Sequence, residues 1–138
     1  MKKVMCFGTF DLLHLGHLHY FEQAKKYGDY LIVVIARDKT KKDQKKEAIF
    51  TEAQRQQLVQ GLKIVDEAVL GYPDDHFRII EERRPDVICL GYDQHVQEEV
   101  IRKELESRGL HPKIKRLLPY QPERNKSTKM REIVLRNA

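Results

Sequence analysis

Apolar residues in this chain fall into short runs separated by segments where they recur at helical spacing. Lys3-Val4-Met5-Cys6-Phe7 reads as a short buried strand, and Gly8-Thr9-Phe10-Asp11 as the turn that leaves it. Leu15, Leu18, Phe21 and Ala24 then predict a helix from about Leu15 to Tyr27, with Gly28 as its stop. Tyr30–Ala36 is a continuous apolar, β-branched run of the kind buried on both faces of a sheet. Arg37–Glu47 has no periodicity and reads as a loop. Thr51, with Gln54 three residues later, forms a capping box at the head of a helix running to about Leu62.

The alternation continues. Glu67–Leu70 reads as a strand, Gly71-Tyr72-Pro73-Asp74-Asp75 as a turn, and the next helix runs through about Arg83 until Pro85 breaks it. Asp86–Leu90 is a buried strand, Gly91-Tyr92-Asp93-Gln94 a turn, and Val96–Arg108 a helix ended by Gly109. Lys113–Leu117 is a fifth strand, Pro119–Lys126 a loop, and Ser127 opens a final helix. Strands alternating with helices imply a parallel sheet with right-handed crossovers. The expected fold is α/β, a Rossmann-like doubly wound five-stranded parallel sheet, one domain over residues 1–138. Such sheets bind ligands outside the carboxyl ends of their strands, at the switch point. Those ends are Gly8–Asp11, Arg37–Lys46, Gly71–Asp75, Gly91–Gln94 and Pro119–Lys126.

Composition narrows the class. The 138 residues are 41% hydrophobic and 34% charged, enough for a packed core and against disorder. Mean hydropathy is −0.63 and no apolar run approaches a membrane span. The two cysteines, Cys6 and Cys89, sit in apolar runs as small buried hydrophobes rather than a disulfide framework. A cytoplasmic protein without a membrane partner is expected. The net charge of +5 is unevenly spread. Arg37–Lys46 holds six Lys/Arg against two Asp, and His111–Ala138 holds eight Lys/Arg against two Glu. Two basic segments on a mildly acidic body point to an anion held between them, either nucleic acid or a polyphosphate.

The candidate chemistry lies just after the first strand, in His14-Leu15-Gly16-His17. Residues three apart share one helix face, and Gly16 lets a ligand approach the backbone. A helix N-terminus favours phosphate, and two imidazoles there can donate to the oxygens of a phosphorus centre as charge builds. The alternatives are two ordinary surface histidines or a metal site, although His19 is the one further histidine nearby. No Walker lysine motif is present.

Gly8-Thr9-Phe10-Asp11-Leu12-Leu13-His14-Leu15-Gly16-His17 closely resembles the signature of the cytidylyltransferase-like nucleotidyltransferases, and Lys126-Ser127-Thr128-Lys129-Met130 resembles their second signature. The two motifs lie near opposite ends of the chain, so the resemblance covers almost all of it. It implies an enzyme that joins a nucleoside triphosphate to a phosphate-bearing acceptor. The acceptor attacks the α-phosphorus in line, pyrophosphate leaves, and no covalent enzyme intermediate forms. The same resemblance assigns His14 and His17 to the triphosphate and the developing charge, with Lys46 as a phosphate-binding lysine. It assigns nucleotide contacts to Thr9, Phe10, Asp11, Leu15, Gly16, Asp93, Lys126, Ser127 and Thr128. Mg²⁺ is expected with the triphosphate, no metal is assigned to protein ligands, and a homodimer is expected. Arg55 is left between a phosphate or acceptor contact and a surface decoration.

The loops decide between subfamilies. The first 38 residues are similar to bacterial enzymes that transfer CMP to glycerol 3-phosphate. Ile35-Ala36-Arg37-Asp38, Val69-Leu70-Gly71 and above all Leu90-Gly91-Tyr92-Asp93-Gln94 are similar to archaeal-type FAD synthases, which transfer AMP to FMN. Cytidylyltransferases usually carry G-D-D at Gly91-Tyr92-Asp93, and Arg124-Asn125-Lys126 replaces their Gly-Ile-Ser-like run. FMN adenylylation with ATP is therefore favoured over glycerol-phosphate cytidylylation with CTP, with Tyr92 or Tyr120 available to stack on a ring. A nucleic-acid-binding module is the distant alternative. The Lys39–Glu47 stretch is expected to be mobile until an anion neutralises its like charges.

Overall fold

The computed structural model describes residues 1–43, 48–92, 94 and 96–119. Its strands are β1 (Lys3–Gly8), β2 (Tyr30–Ile35), β3 (Glu67–Leu70), β4 (Val87–Leu90) and β5 (Lys113–Arg116). Its helices are α1 (Leu15–Lys25), α2 (Asp38–Asp43), α3 (Glu52–Gln60), α4 (Arg78–Arg83) and α5 (Glu98–Ser107). The five strands form one sheet in the order β3-β2-β1-β4-β5, and every pairing is parallel. The chain adds strands outward on one side of β1, then returns to start the other side with β4. The switch point therefore lies between β1 and β4.

Side-chain alternation along the strands explains the double winding. Val4 and Cys6 of β1 and Leu31, Val33 and Ile35 of β2 pack on one face, with Phe21 and Ala24 of α1 and Val59 of α3. Met5, Ile32, Val34 and Ile88 pack on the other, with Ile79 and Ile80 of α4 and Ile101 and Leu105 of α5. A strand buried on both faces shows no polar alternation, which is why β2 reads as one apolar run. The Thr51 capping box is present, with Thr51 Oγ1 accepting from the Gln54 amide at 3.2 Å and Gln54 Oε1 from the Thr51 amide at 3.0 Å. Gly28 acts less as a helix stop than as a contact point. A Cβ there would lie 2.6 Å from the Lys2 carbonyl oxygen, just ahead of β1.

One expectation is corrected. Asp38–Asp43, within the stretch read as loop, is helical. Its sequence Asp-Lys-Thr-Lys-Lys-Asp has no apolar face, so periodicity carries no trace of it. Tertiary capping supplies the missing signal: the Asp38 amide donates to Glu52 Oε1 at 2.9 Å, and the Glu52 amide donates to Asp38 Oδ2 at 3.1 Å. Each acid caps the other's helix, and Glu52 also pairs with Arg37 Nε at 3.0 Å. Residues 44–47, and the helix expected from Ser127, lie outside the described residues.

Arg55 of α3 is also corrected, because it neither decorates a surface nor faces a ligand: it is 0% exposed. Its Nη1 donates to the carbonyls of Thr9 at 3.0 Å and Ala36 at 2.7 Å, and its Nε donates to that of Phe50 at 3.2 Å. Nη2 bonds Asp38 Oδ1 at 2.7 Å. Burial pushes the Asp38 carboxyl up, but the Glu52 amide and the Arg55 guanidinium outweigh it and hold the group below the usual carboxylate range. One guanidinium thus gathers the loops that leave β1 and β2 and the segment that enters α3. Arg55→Met keeps the side chain's bulk and leaves these acceptors unmet, so we expect a loss of about 3 kcal/mol of folding stability. Urea denaturation measures it, and a loss below about 1 kcal/mol would contradict the role.

Candidate active site

The turn after β1 is shaped by one unfavourable backbone angle. Phe10 has φ 54, in the left-handed region that few non-glycine residues adopt. The ring is buried and folds back over Gly8, where a Cβ would lie 2.5 Å from its tip. Gly8 is required for that approach. The Phe10 ring packs on Phe21 at 5.0 Å between centroids and sets its edge against His17 at 5.5 Å. The strained turn therefore seats the second histidine of the motif.

His14 is the N-cap of α1, a position ordinarily given to Ser, Thr, Asp or Asn. Its Nδ1 accepts from the Gly16 amide at 3.0 Å. His17 Nδ1 accepts from the His14 amide at 3.2 Å, and the two rings stack 3.9 Å apart. An imidazole nitrogen that accepts carries no proton, so each neutral ring holds its single proton on Nε2. Burial lowers the pKa of His14. Burial and then the neighbouring His14 lower that of His17 to about 3. Both rings are neutral donors at physiological pH. His14 Nε2 is buried and has no hydrogen-bond partner among the described residues. An orphaned buried donor is costly unless a ligand accepts from it.

Asp11 is buried, and its oxygens are committed to protein. Oδ2 accepts from the Ile49 amide at 2.7 Å and Oδ1 from the Phe50 amide at 2.8 Å. The expected nucleotide contact becomes a clamp on the segment that follows the basic stretch. Phe10 likewise offers only backbone, its ring being in the core, and the Thr9 carbonyl is held by Arg55. Leu15 is exposed on the first turn of α1, beside Gly16. Lys46, Asp93, Tyr120, Lys126, Ser127 and Thr128 lie outside the described residues.

Three contacts at this end of the sheet carry no sequence signal. The Tyr20 hydroxyl lies 3.2 Å from the Cys89 carbonyl and 3.4 Å from that of Phe7, bridging β4 and β1. The Gln94 side chain bridges Phe7 and Gly91. The Gln23 amide clasps the Leu118 backbone, accepting at 3.0 Å and donating at 2.9 Å, and so ties the chain beyond β5 to α1. Cys6 and Cys89 are unpaired, buried neighbours in strand register. Burial raises both thiols, Cys89 to about 12, so neither is a nucleophile. Among the described residues no group of three or more His, Cys, Asp or Glu could hold a metal ion. Among them, too, no helix is long and apolar enough to cross a membrane.

A neutral imidazole pair at a helix head, over a parallel-sheet switch point, is suited to receiving phosphate oxygens. Comparison with known proteins identifies the family. The cytidylyltransferase-like family model matches residues 5–133. The chain is 45% identical over 133 residues to the FAD synthase of Picrophilus torridus, covering 96% of both chains. It is 51% identical over 117 residues to that of Ferroglobus placidus, covering 85% of this chain and 76% of the relative. A crystal structure of the lipopolysaccharide core biosynthesis protein from Thermoplasma volcanium matches with TM-score 0.86 and 44% identity, covering 88% of this chain and 99% of that one. Pantoate-beta-alanine ligase from Francisella tularensis matches with TM-score 0.60 at 17% identity, over 98% of this chain and 69% of that one, and so shares the fold alone. From its first strand through its histidine turn and beyond, this chain belongs to the cytidylyltransferase-like family.

Proposed function

We propose that the protein is an FMN adenylyltransferase, transferring AMP from ATP to FMN. A phosphate oxygen of FMN attacks the α-phosphorus of ATP. The bond from that phosphorus to the bridging oxygen breaks, and FAD and pyrophosphate leave. The acceptor phosphate is already ionised, so the protein needs to supply orientation and charge stabilisation rather than a base. The observation that carries this reading is the histidine pair: both Nδ1 atoms are occupied as acceptors, leaving Nε2–H as the donors. Neutral donors hold phosphate oxygens without themselves losing charge as pyrophosphate departs. The names of the curated relatives support FMN as acceptor.

The same reading favours ATP over CTP, and a small acceptor over nucleic acid. Lys46 and the Lys126-Ser127-Thr128 segment would hold the triphosphate, and Asp93 the nucleoside. Mg²⁺ would enter on the phosphate oxygens, as is usual for that ion with nucleotides. This fits the described residues, since Asp11, the acid of the β1 turn, has both oxygens bonded to amides. The ion would offset phosphate charge there. A homodimer in the cytoplasm completes the proposal.

The decisive assay is pyrophosphate release with ATP or CTP, each with FMN or glycerol 3-phosphate, plus Mg²⁺. Release is expected with ATP and FMN; release only with CTP and glycerol 3-phosphate would move the enzyme to the other subfamily. His14→Ala should lower kcat by about 10²- to 10³-fold while the protein folds normally, the loss typical of one removed transition-state donor. Retained turnover would remove His14 from the mechanism.

The histidine tautomers have a separate test. His17 titrates at about 3 when folded against an ordinary 6.5. As pH falls below 6.5 the unfolded chain takes up a proton that the folded chain refuses. The stability difference is complete above the unfolded value and is lost as pH drops toward the folded one. Stability should fall by about 1.4 kcal/mol per pH unit for this group, and more gently in His17→Ala. Nitrogen-15 shifts should show the His17 ring neutral and protonated on Nε2 at pH 6, and an imidazolium there would contradict the arrangement.

A further inference from the structure

Between β4 and α5 the described residues Gly91, Tyr92, Gln94, Val96 and Gln97 lie at the switch point and form neither strand nor helix. Gly91, Gln94 and Val96 are nevertheless held by side chains. Gln94 Oε1 accepts from the Gly91 amide at 2.8 Å, closing a turn in which the Gln94 amide also donates to the Gly91 carbonyl at 3.1 Å. The other end of the same carboxamide, Nε2, donates to the Phe7 carbonyl at 2.9 Å. From the opposite side, Arg116 at the end of β5 donates through Nη1 to the carbonyls of Gly91 at 2.9 Å and Gln94 at 2.6 Å. Its Nη2 donates to that of Val96 at 2.8 Å, and its Nε faces Glu98 at 3.5 Å.

We propose that Gln94 and Arg116 are positioning residues that hold Gly91, Tyr92, Gln94 and Val96 as a preformed wall of the nucleotide site and thereby set its preference for ATP. The inference rests on the adenylyl-transfer reading above. A braced loop meets its ordering cost at folding and keeps one shape, whereas a loop free to re-pack adapts to either base and meets that cost on binding. The side-chain types are specific to the task. Three carbonyls spread over six residues match the planar fork of a guanidinium, which a lysine's single ammonium cannot span. Gln94 needs an acceptor toward Gly91 and a donor toward Phe7. Glutamate at this position keeps the first and sets a carboxylate against the Phe7 carbonyl. Phe7 immediately precedes Gly8, so one carboxamide fixes the distance between the wall and the histidine turn. Tyr92, at the second position of the Gly91–Gln94 turn and exposed, is the residue this brace presents outward.

The test compares wild-type protein with Gln94→Glu and Arg116→Lys, using ATP and CTP with FMN and Mg²⁺, and thermal unfolding as control. In both variants KM for ATP should rise about tenfold with kcat within about threefold, and the ATP-to-CTP ratio of kcat/KM should fall about tenfold. A merely structural role would shift the melting temperature and leave that ratio in place. Unchanged KM and ratio in the folded variants would overturn the proposal, as would a loss confined to kcat. Should either variant fail to fold, Gln94→Ala and Arg116→Gln repeat the comparison on the same criteria. If wild-type protein does not adenylate FMN, the function proposed above fails by itself. Calorimetric titration with ATP and Mg²⁺ then decides the brace: weaker ATP binding in the variants supports it, and equal binding refutes it.

Discussion

The guanidinium of Arg55 is fully buried and donates to the carbonyls of Thr9, Ala36 and Phe50 and to the carboxylate of Asp38. A buried charge is tolerated only where such bonds replace its lost hydration. Meeting that condition here requires the carboxyl end of β1, the carboxyl end of β2 and the entry to α3 to meet at one point. Asp11 works in the opposite sense on the same segment, accepting the amides of Ile49 and Phe50. Phe50 is thus held by its amide through one charge and by its carbonyl through the other. Thr9, fixed by Arg55, is the residue before the left-handed Phe10, whose ring seats His17. The strain at Phe10 persists because its neighbours on both sides are over-determined.

The histidine pair makes folding and chemistry share atoms. An aspartate cap would stabilise α1 and repel a triphosphate, and a serine cap would carry one oxygen for both tasks. Imidazole has two nitrogens on opposite sides of one ring. At His14 the inner nitrogen serves the Gly16 amide, which leaves the outer one as a donor without a partner among the described residues. The helix start thereby selects the tautomer that the proposed reaction uses. Protonating the inner nitrogen would break the cap and the donor arrangement together, and burial opposes that protonation in both rings.

Much of the fold is legible in the sequence because burial on both faces of a parallel sheet leaves long apolar runs, as at Leu31–Ile35, that are hard to mistake. The histidine turn is legible because its residues are contiguous. The parts that escape reading depend on contacts distant in sequence. α2 has no apolar stripe and is capped by Glu52, fourteen positions away from Asp38. Arg55 looks like any charged residue on a polar helix until the three loops that surround it are placed. Asp11 belongs to a motif that suggests ligand contact, yet its partners lie 38 and 39 residues along the chain. Gln94 and Arg116 act across strands β1 and β5, a relation fixed only by sheet order.

That sheet order also separates the tasks within the site. The histidine turn follows β1, the central strand, and is held by Arg55, Asp11 and the Phe10 ring. The Gly91–Gln94 turn follows β4 and is held from β5 by Arg116. Among the described residues, side-chain bonds join the two walls at their mouth: Gln94 to the Phe7 carbonyl, and the Tyr20 hydroxyl between the Phe7 and Cys89 carbonyls. A turn braced by its own partners can change sequence without disturbing the histidines, provided the bridge to Phe7 survives. In the proposed function, reaction geometry belongs to the β1 turn, while the choice of nucleotide and acceptor belongs to loops that the sheet supports and does not specify.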